Sequence, residues 1–191
     1  MKTKTIFYLC IVLSSIFTIT IQSQPKSYEK QIDSVLSLMT LEEKAGQLHQ
    51  VSLYWATGPE SPEGDKLKDI KEGRMGSVFN VRGSEKVRAL QELALKSRLG
   101  IPLLFGLDVI HGFKTTFPIP LAESASWDLE AIELAARVAA IEASASGLNW
   151  TFAPMVDVAR DPRWGRIMEG AGEDTWLGSL IAAARVKGFQ G

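Results

Sequence analysis

The sequence predicts an α/β fold, and within that class the N-terminal portion of a TIM-like (β/α)8 barrel, about three or four βα units of it. Three observations predict this. Short apolar runs alternate with segments of helical periodicity, in the order β-α-β-α-β-α after an N-terminal helix pair. The apolar runs are continuous rather than alternating, as expected for parallel strands covered by helices. Polar residues collect just after the runs: Asn80 and Arg82, then Asp108 and His111, then Asp157 to Arg166. Both a barrel and a doubly wound sheet place their chemistry at the C-terminal ends of strands. The barrel is favoured because no Gly-rich phosphate turn follows the first strand and the polar loops follow successive strands.

Tyr28, Ile32, Val35, Leu36 and Met39 stand at helical spacing. Thr40-Leu41-Glu42-Glu43 is a capping box, so a second short helix starts there and runs to about Leu48. The segment Gln47–Tyr54 is a possible strand. Residues 57–75 are rich in Gly, Pro and charge, which reads as a loop followed by a short helix around Lys66–Glu72. Gly76–Val81 is an apolar run bounded by Gly, hence a strand. Ser84–Leu99 is periodic through Val87, Leu90, Leu93 and Ala94, hence a helix. Ile101–Leu107 forms the next strand and ends at Asp108. Residues 128–147 form a long helix, with Asp128 as N-cap and Gly147 as its stop. Leu148–Val156 is a further strand, and Asp174–Val186 a further helix.

Residues 1–23 have the parts of a secretory signal: Lys2 and Lys4, an apolar stretch from Ile6 to Ile21, and a polar exit at Ser23. The apolar stretch is short for a spanning helix, which takes about 20 residues. The expectation is export to the periplasm or the extracellular space, with residues 24–191 as one domain and no membrane contact after cleavage. Cys10 lies inside the signal, so the mature chain relies on its core and not on disulfides. A net charge of −1 gives no electrostatic reason to expect nucleic acid as a partner.

Two clusters carry candidate chemistry. In Gly106-Leu107-Asp108-Val109-Ile110-His111-Gly112 a carboxylate ends a strand, where it can accept hydrogen bonds from vicinal sugar hydroxyls. Asp108 also fits a turn cap, and His111 a structural histidine. Asp108 with His111 fits a metal-assisted hydrolase less well, since no third ligand stands at usable spacing. The second cluster, Val156 to Asp174, holds Arg160, Arg163, Arg166, Asp157, Asp161, Glu169, Glu173 and Trp164. Arginine offers a planar donor fork, and Trp164 can stack on a sugar face. The same residues can equally form a salt-bridged loop. Retaining glycoside hydrolysis needs two carboxyl groups about 5–5.5 Å apart. Asp108 and Asp157 can be nominated, but spacing alone does not establish them.

These clusters, with Met39–Leu48, Thr116–Leu121 and Ala125–Asp128, resemble glycoside hydrolase family 3, in particular its periplasmic β-glucosidases. The matching stretches cover nearly all of the mature chain, and the Arg160–Arg166 stretch with Glu169 is specific. The resemblance implies a TIM-like barrel that binds a terminal non-reducing sugar. It implies that Asp108 hydrogen-bonds the sugar's hydroxyls and that Arg166 contacts the same sugar. Glu169 is then the partner that holds Arg166, with His111 supporting the cluster without touching substrate. Arg160, Arg163 and Asp157 look like loop architecture. No cofactor or metal is expected, and the partner is a β-glucoside or oligosaccharide.

In the family a Lys-His pair, an attacking aspartate and a proton-donating glutamate follow this region. Lys187 lacks the histidine, and none of the others can be placed before Gly191. The expectation is therefore a truncated portion with Asp108 as a binder, and no catalytic residue within the chain. The branch acting on N-acetylglucosaminides shows different residues around the first cluster. Release of terminal β-D-glucose with retention is the expected function; β-xylosidase activity and a secreted non-catalytic sugar-binding module are the alternatives.

Overall fold

The computed structural model describes residues 27–53 and 63–191. The expected signal at 1–23, Cys10 within it, and the part of the Gly- and Pro-rich loop at 57–62 lie outside the described residues. Helix α1 (Glu29–Leu38) follows the expected periodicity, yet none of its residues is buried. It belongs to a unit that ends at Leu38; Met39–Gly191 form the second unit. No helix among the described residues is long and apolar enough to cross a membrane.

The second unit opens with the capping box. Thr40 Oγ1 accepts the Glu43 N–H at 3.2 Å, and Glu43 Oε2 accepts the Thr40 N–H at 2.8 Å, which starts α2 (Leu41–Gln47). Arg98 donates to the same carboxylate from Nε at 3.0 Å and from Nη2 at 2.5 Å. These donors, Arg98 foremost, hold the Glu43 carboxyl below the ordinary glutamate range. A local signal thus also ties α2 to a residue far along the chain.

Four strands follow: β1 (Gln50–Ser52), β2 (Ser77–Phe79), β3 (Leu104–Leu107) and β4 (Trp150–Thr151). All neighbouring pairs are parallel, in the order β1-β2-β3-β4. Between them lie α3 (Glu63–Lys71), α4 (Ser84–Ala94), α5 (Pro120–Ser124) and α6 (Leu129–Ala145), and α7 (Thr175–Gln190) follows β4. Sequence order equals spatial order with no reversal. A doubly wound sheet reverses at a switch point, whereas a barrel does not. The fold is the expected α/β one, with successive units of a TIM-like barrel.

Alternation along each strand separates two faces. Val78, Phe105 and Leu107 point to the helices and pack with Val87, Leu90, Ala139 and Ala143. Ser52, Phe79, Gly106 and Trp150 stand in register across the sheet. There the Phe79 and Phe152 rings meet edge to face at 6.4 Å. A smaller core of Ile132, Ile181 and Ala184 joins α6 to α7.

The strands are shorter than the apolar runs suggest. The run Leu148–Val156 yields only Trp150 and Thr151, because Pro154 has no N–H for a ladder. Pro102 has the same effect at the start of β3. The helix expected over Ser84–Leu99 stops at Ala94 and gives way to turns before Gly100. Helix α7 runs on to Gln190, four residues past the expected end at Val186. Asp128 and Asp174 cap as their residue type predicts, accepting the N–H of Ala131 at 3.0 Å and of Leu177 at 2.7 Å.

Gly188 lets α7 approach α6. A Cβ at this position runs into the Glu133 carbonyl oxygen and sits 2.7 Å from Ala136 Cβ. Helix propensity favours Ala over Gly by about 1 kcal/mol. Overpacking costs about 1–3 kcal/mol, so the clash wins. Gly188→Ala is expected to lower the thermal unfolding midpoint; a raised midpoint shows that α7 moves aside freely.

Candidate functional site

The polar groups converge where the sheet ends. Asp108 is the first residue after β3 and is exposed. The loop behind it, residues 109–119, is closed on itself. The Phe117 N–H donates to His111 O at 2.8 Å, and Gly112 bridges to Thr116. Gly112 has φ +108°, and a Cβ there collides with the Thr115 carbonyl oxygen, so the loop needs glycine at that point. His111 Nδ1 lies 3.2 Å from the Phe117 carbonyl oxygen and donates to it in the tautomer that carries its proton there. Glu142 of α6 anchors the loop tip. Its carboxylate accepts the Lys114 and Thr115 N–H groups, each at 2.8 Å, and the Thr115 hydroxyl at 2.7 Å.

Those donors, the Thr115 N–H foremost, pull the Glu142 carboxyl below the ordinary glutamate range. A carboxylate with a depressed folded-state pKa stabilises in full above its unfolded value, and the contribution vanishes as pH falls through the folded value. The loop anchor is therefore expected to hold at neutral pH and to release only at pH below the usual glutamate titration. The Thr115 amide proton shift in an acid titration checks this. A midpoint at or above that of an unstructured glutamate contradicts it.

After β4 the chain runs to a 3-10 turn at Ile167–Glu169. Arg166 opens that turn and folds back on it: Nε and Nη2 donate to Glu169 Oε2 at 3.0 and 2.5 Å. Glu169 raises the guanidinium's pKa most, and the carboxylates of Asp108 and Asp157 add to it. Arg166 thus stands within electrostatic reach of Asp108, although the two come from loops after different strands. Glu169 is the carboxylate that receives the Arg166 guanidinium. Of the other pairings considered for this loop, Asp161 with Arg163 forms, at 2.5 Å. Arg160 is exposed and pairs with none of the described carboxylates, and Trp164 is half-buried. Among the described residues, Asp108 and His111 are not part of any group of three or more metal-ligating side chains.

Nearby, Asn80 follows β2 in the left-handed region at φ 62° and its Nδ2 donates to Ser52 Oγ at 3.3 Å. Sequence reasoning placed Asn80 at the strand ends but gave it no role.

It missed a buried pair altogether. Arg185 of α7 is 4% exposed and Glu123 of α5 is 8% exposed. Arg185 Nη1 donates to Glu123 Oε2 at 2.6 Å, and Nη2 donates to the Ile110 carbonyl oxygen. Burial pushes the Glu123 carboxyl up, opposed by the charges of Arg185 and His111. Burial likewise lowers the Arg185 guanidinium's pKa, opposed by Glu123. One signal was available: Ile181, Ala184, Arg185 and Gly188 share a single helical face, so Arg185 stands on the apolar stripe.

Residues 40–191 match the family model described as the Glycosyl hydrolase family 3 N terminal domain. The chain is 44% identical over 168 residues to the periplasmic beta-glucosidase of Salmonella typhimurium, covering 87% of this chain and 21% of that protein. It is 30% identical over 213 residues to a putative beta-xylosidase of Formosa agariphila, covering 100% of this chain and 27% of that protein. In structure it is similar to a beta-glucosidase from Listeria innocua crystallised in complex with isofagomine. That likeness has a TM-score of 0.75 at 44% identity, over 85% of this chain and 23% of the other. The chain spans about a fifth to a quarter of the length of these three proteins.

Proposed function

The chain belongs to glycosyl hydrolase family 3, and on that premise we propose that the protein is a retaining β-glucosidase that releases terminal glucose from β-glucosides or oligosaccharides. The observation that carries the reading is the convergence of Asp108 and Arg166 at one end of the sheet, with Asp108 among the charges that act on the Arg166 guanidinium. A carboxylate and a guanidinium within electrostatic reach of each other offer a sugar an acceptor and a donor for its hydroxyls. Glu169 keeps the guanidinium aimed. Asp108 and Arg166 are binders in this reading. Glu169 and His111 support them, and no residue is assigned to attack on the anomeric carbon.

The proposed organisation is a signal at residues 1–23 followed by the barrel domain from residue 24, in a protein exported to the periplasm or beyond. The relative named as periplasmic supports export. N-terminal sequencing of the secreted product tests it.

Activity is tested with the complete gene product on aryl β-glucoside and aryl β-xyloside. The expected result is a higher kcat/KM on the glucoside, with the β-anomer released first in a proton NMR time course. The relative named as a putative beta-xylosidase supports the second reading, and preference for the xyloside selects it. Release of the α-anomer first, or no hydrolysis of either substrate with glucose still bound, overturns the reading.

A further inference from the structure

From this geometry, and resting on the reading of Asp108 as a sugar binder, we infer that Arg185 is a positioning residue: with Glu123 as its buried counter-charge, it clamps the Ile110 carbonyl and thereby sets where Asp108 stands. The observations are geometric. Asp108 is exposed and comes at the end of β3, so its own side chain has little packing to fix it. Two residues on, the Ile110 carbonyl oxygen receives Arg185 Nη2. Arg185 reaches it from α7, and its other arm is held at 2.6 Å by Glu123 of α5. Three separate segments therefore meet at one guanidinium.

The guanidinium is planar, so fixing both Nη groups fixes the whole fork. Its Nε is buried without a hydrogen-bond partner among the described residues. Among the described residues, the hydrogen bonds that orient it go to Glu123 and Ile110. A buried ion pair adds little net stability, because stripping water from both charges offsets their attraction. Its directional effect remains. The carbonyl of residue 110 cannot swing without breaking a charge-assisted hydrogen bond, and Val109, buried at 2% exposure, pins the other side of the same link. The loop tip has its own anchor at Glu142, so the Arg185 clamp acts at the root of the loop, next to Asp108.

The test separates positioning from charge pairing. Arg185→Met alone leaves Glu123 buried and unpaired, which destabilises for reasons unrelated to Asp108. The double variant Arg185→Met with Glu123→Leu removes both charges and still lacks the donor to Ile110. In the complete gene product this double variant is expected to unfold near the wild-type midpoint, to bind glucose about tenfold more weakly by calorimetry, and to show a raised KM for aryl β-glucoside. Arg185→Lys, which keeps a charge for Glu123 but not the fork, is expected to weaken glucose binding severalfold with little loss of stability. It reads out the proposal if the double variant does not fold. Wild-type glucose affinity and KM in a folded double variant, or in Arg185→Lys, overturn the positioning role. Asp108→Ala is measured in parallel. If it too binds glucose like wild type, the reading of Asp108 has failed; if it loses glucose while the Arg185 variants keep it, only the clamp has failed.

Discussion

Asp108→Ala is expected to lower kcat/KM on an aryl β-glucoside by about 10²–10⁴-fold while leaving the unfolding midpoint nearly unchanged. The magnitude follows from two hydrogen bonds to an ionised carboxylate. Each contributes about 1.5–3 kcal/mol, and each 1.4 kcal/mol is about a tenfold change. Stability is spared because Asp108 is exposed and its side chain makes no structural hydrogen bond among the described residues. Removing it also takes away one of the negative charges acting on Arg166. Asp108→Asn keeps one acceptor oxygen and is expected to lose less. Steady-state kinetics with a parallel thermal melt decide the matter. A loss below tenfold in a protein that melts like wild type removes Asp108 from the site.

Phe105→Ala is expected to produce the largest loss of stability, about 3–5 kcal/mol. Phe105 lies in the interior strand β3, between β2 and β4, and is 2% exposed. Its ring belongs to the core that joins the sheet to α4 and α6. Its backbone is also committed: the N–H donates to Asn149 Oδ1 at 2.8 Å, and its carbonyl oxygen accepts the Asn149 N–H at 3.2 Å. The cavity therefore cannot close by moving the strand, and the cost falls at the upper part of the range. Against a total stability of about 5–15 kcal/mol this brings the fold close to its limit. In urea, with an m value of about 2 kcal/mol/M, the midpoint is expected to fall by about 2 M. A shift under about 0.5 M shows that the core repacks. Because Asp108 follows the same strand, the surviving folded fraction is also expected to bind sugar more weakly.

Much of this was legible in the sequence because it depends on neighbours. The capping box at Thr40–Glu43, the caps at Asp128 and Asp174, and the stop at Gly147 involve residues only a few positions apart, and each formed. Arg166 with Glu169 is of the same kind, one turn apart. The apolar runs marked where strands lie but not their length. A run states that residues prefer burial; ladder hydrogen bonds depend on each N–H, and Pro102 and Pro154 lack one. The apolar periodicity of α1 predicts the helix that forms, yet periodicity does not secure burial, and Ile32, Val35 and Leu36 remain exposed.

By itself the sequence determined the α/β class, the order of the units and the two loops on which Asp108 and Arg166 sit. These follow from period, capping and punctuation, which act over one or two turns. Only the tertiary structure decided that Asp108 comes within electrostatic reach of Arg166, that Glu142 anchors the tip of the Asp108 loop, and that Arg185 lies buried against Glu123 and Ile110. These are contacts between distant segments. Their existence depends on parallel strands placing their C-terminal ends on one side, and on Gly188 letting α7 settle onto α6. A charge in a helix reads as solvent-facing until the packing around it is known, which is why Arg185 stayed hidden until the fold was seen.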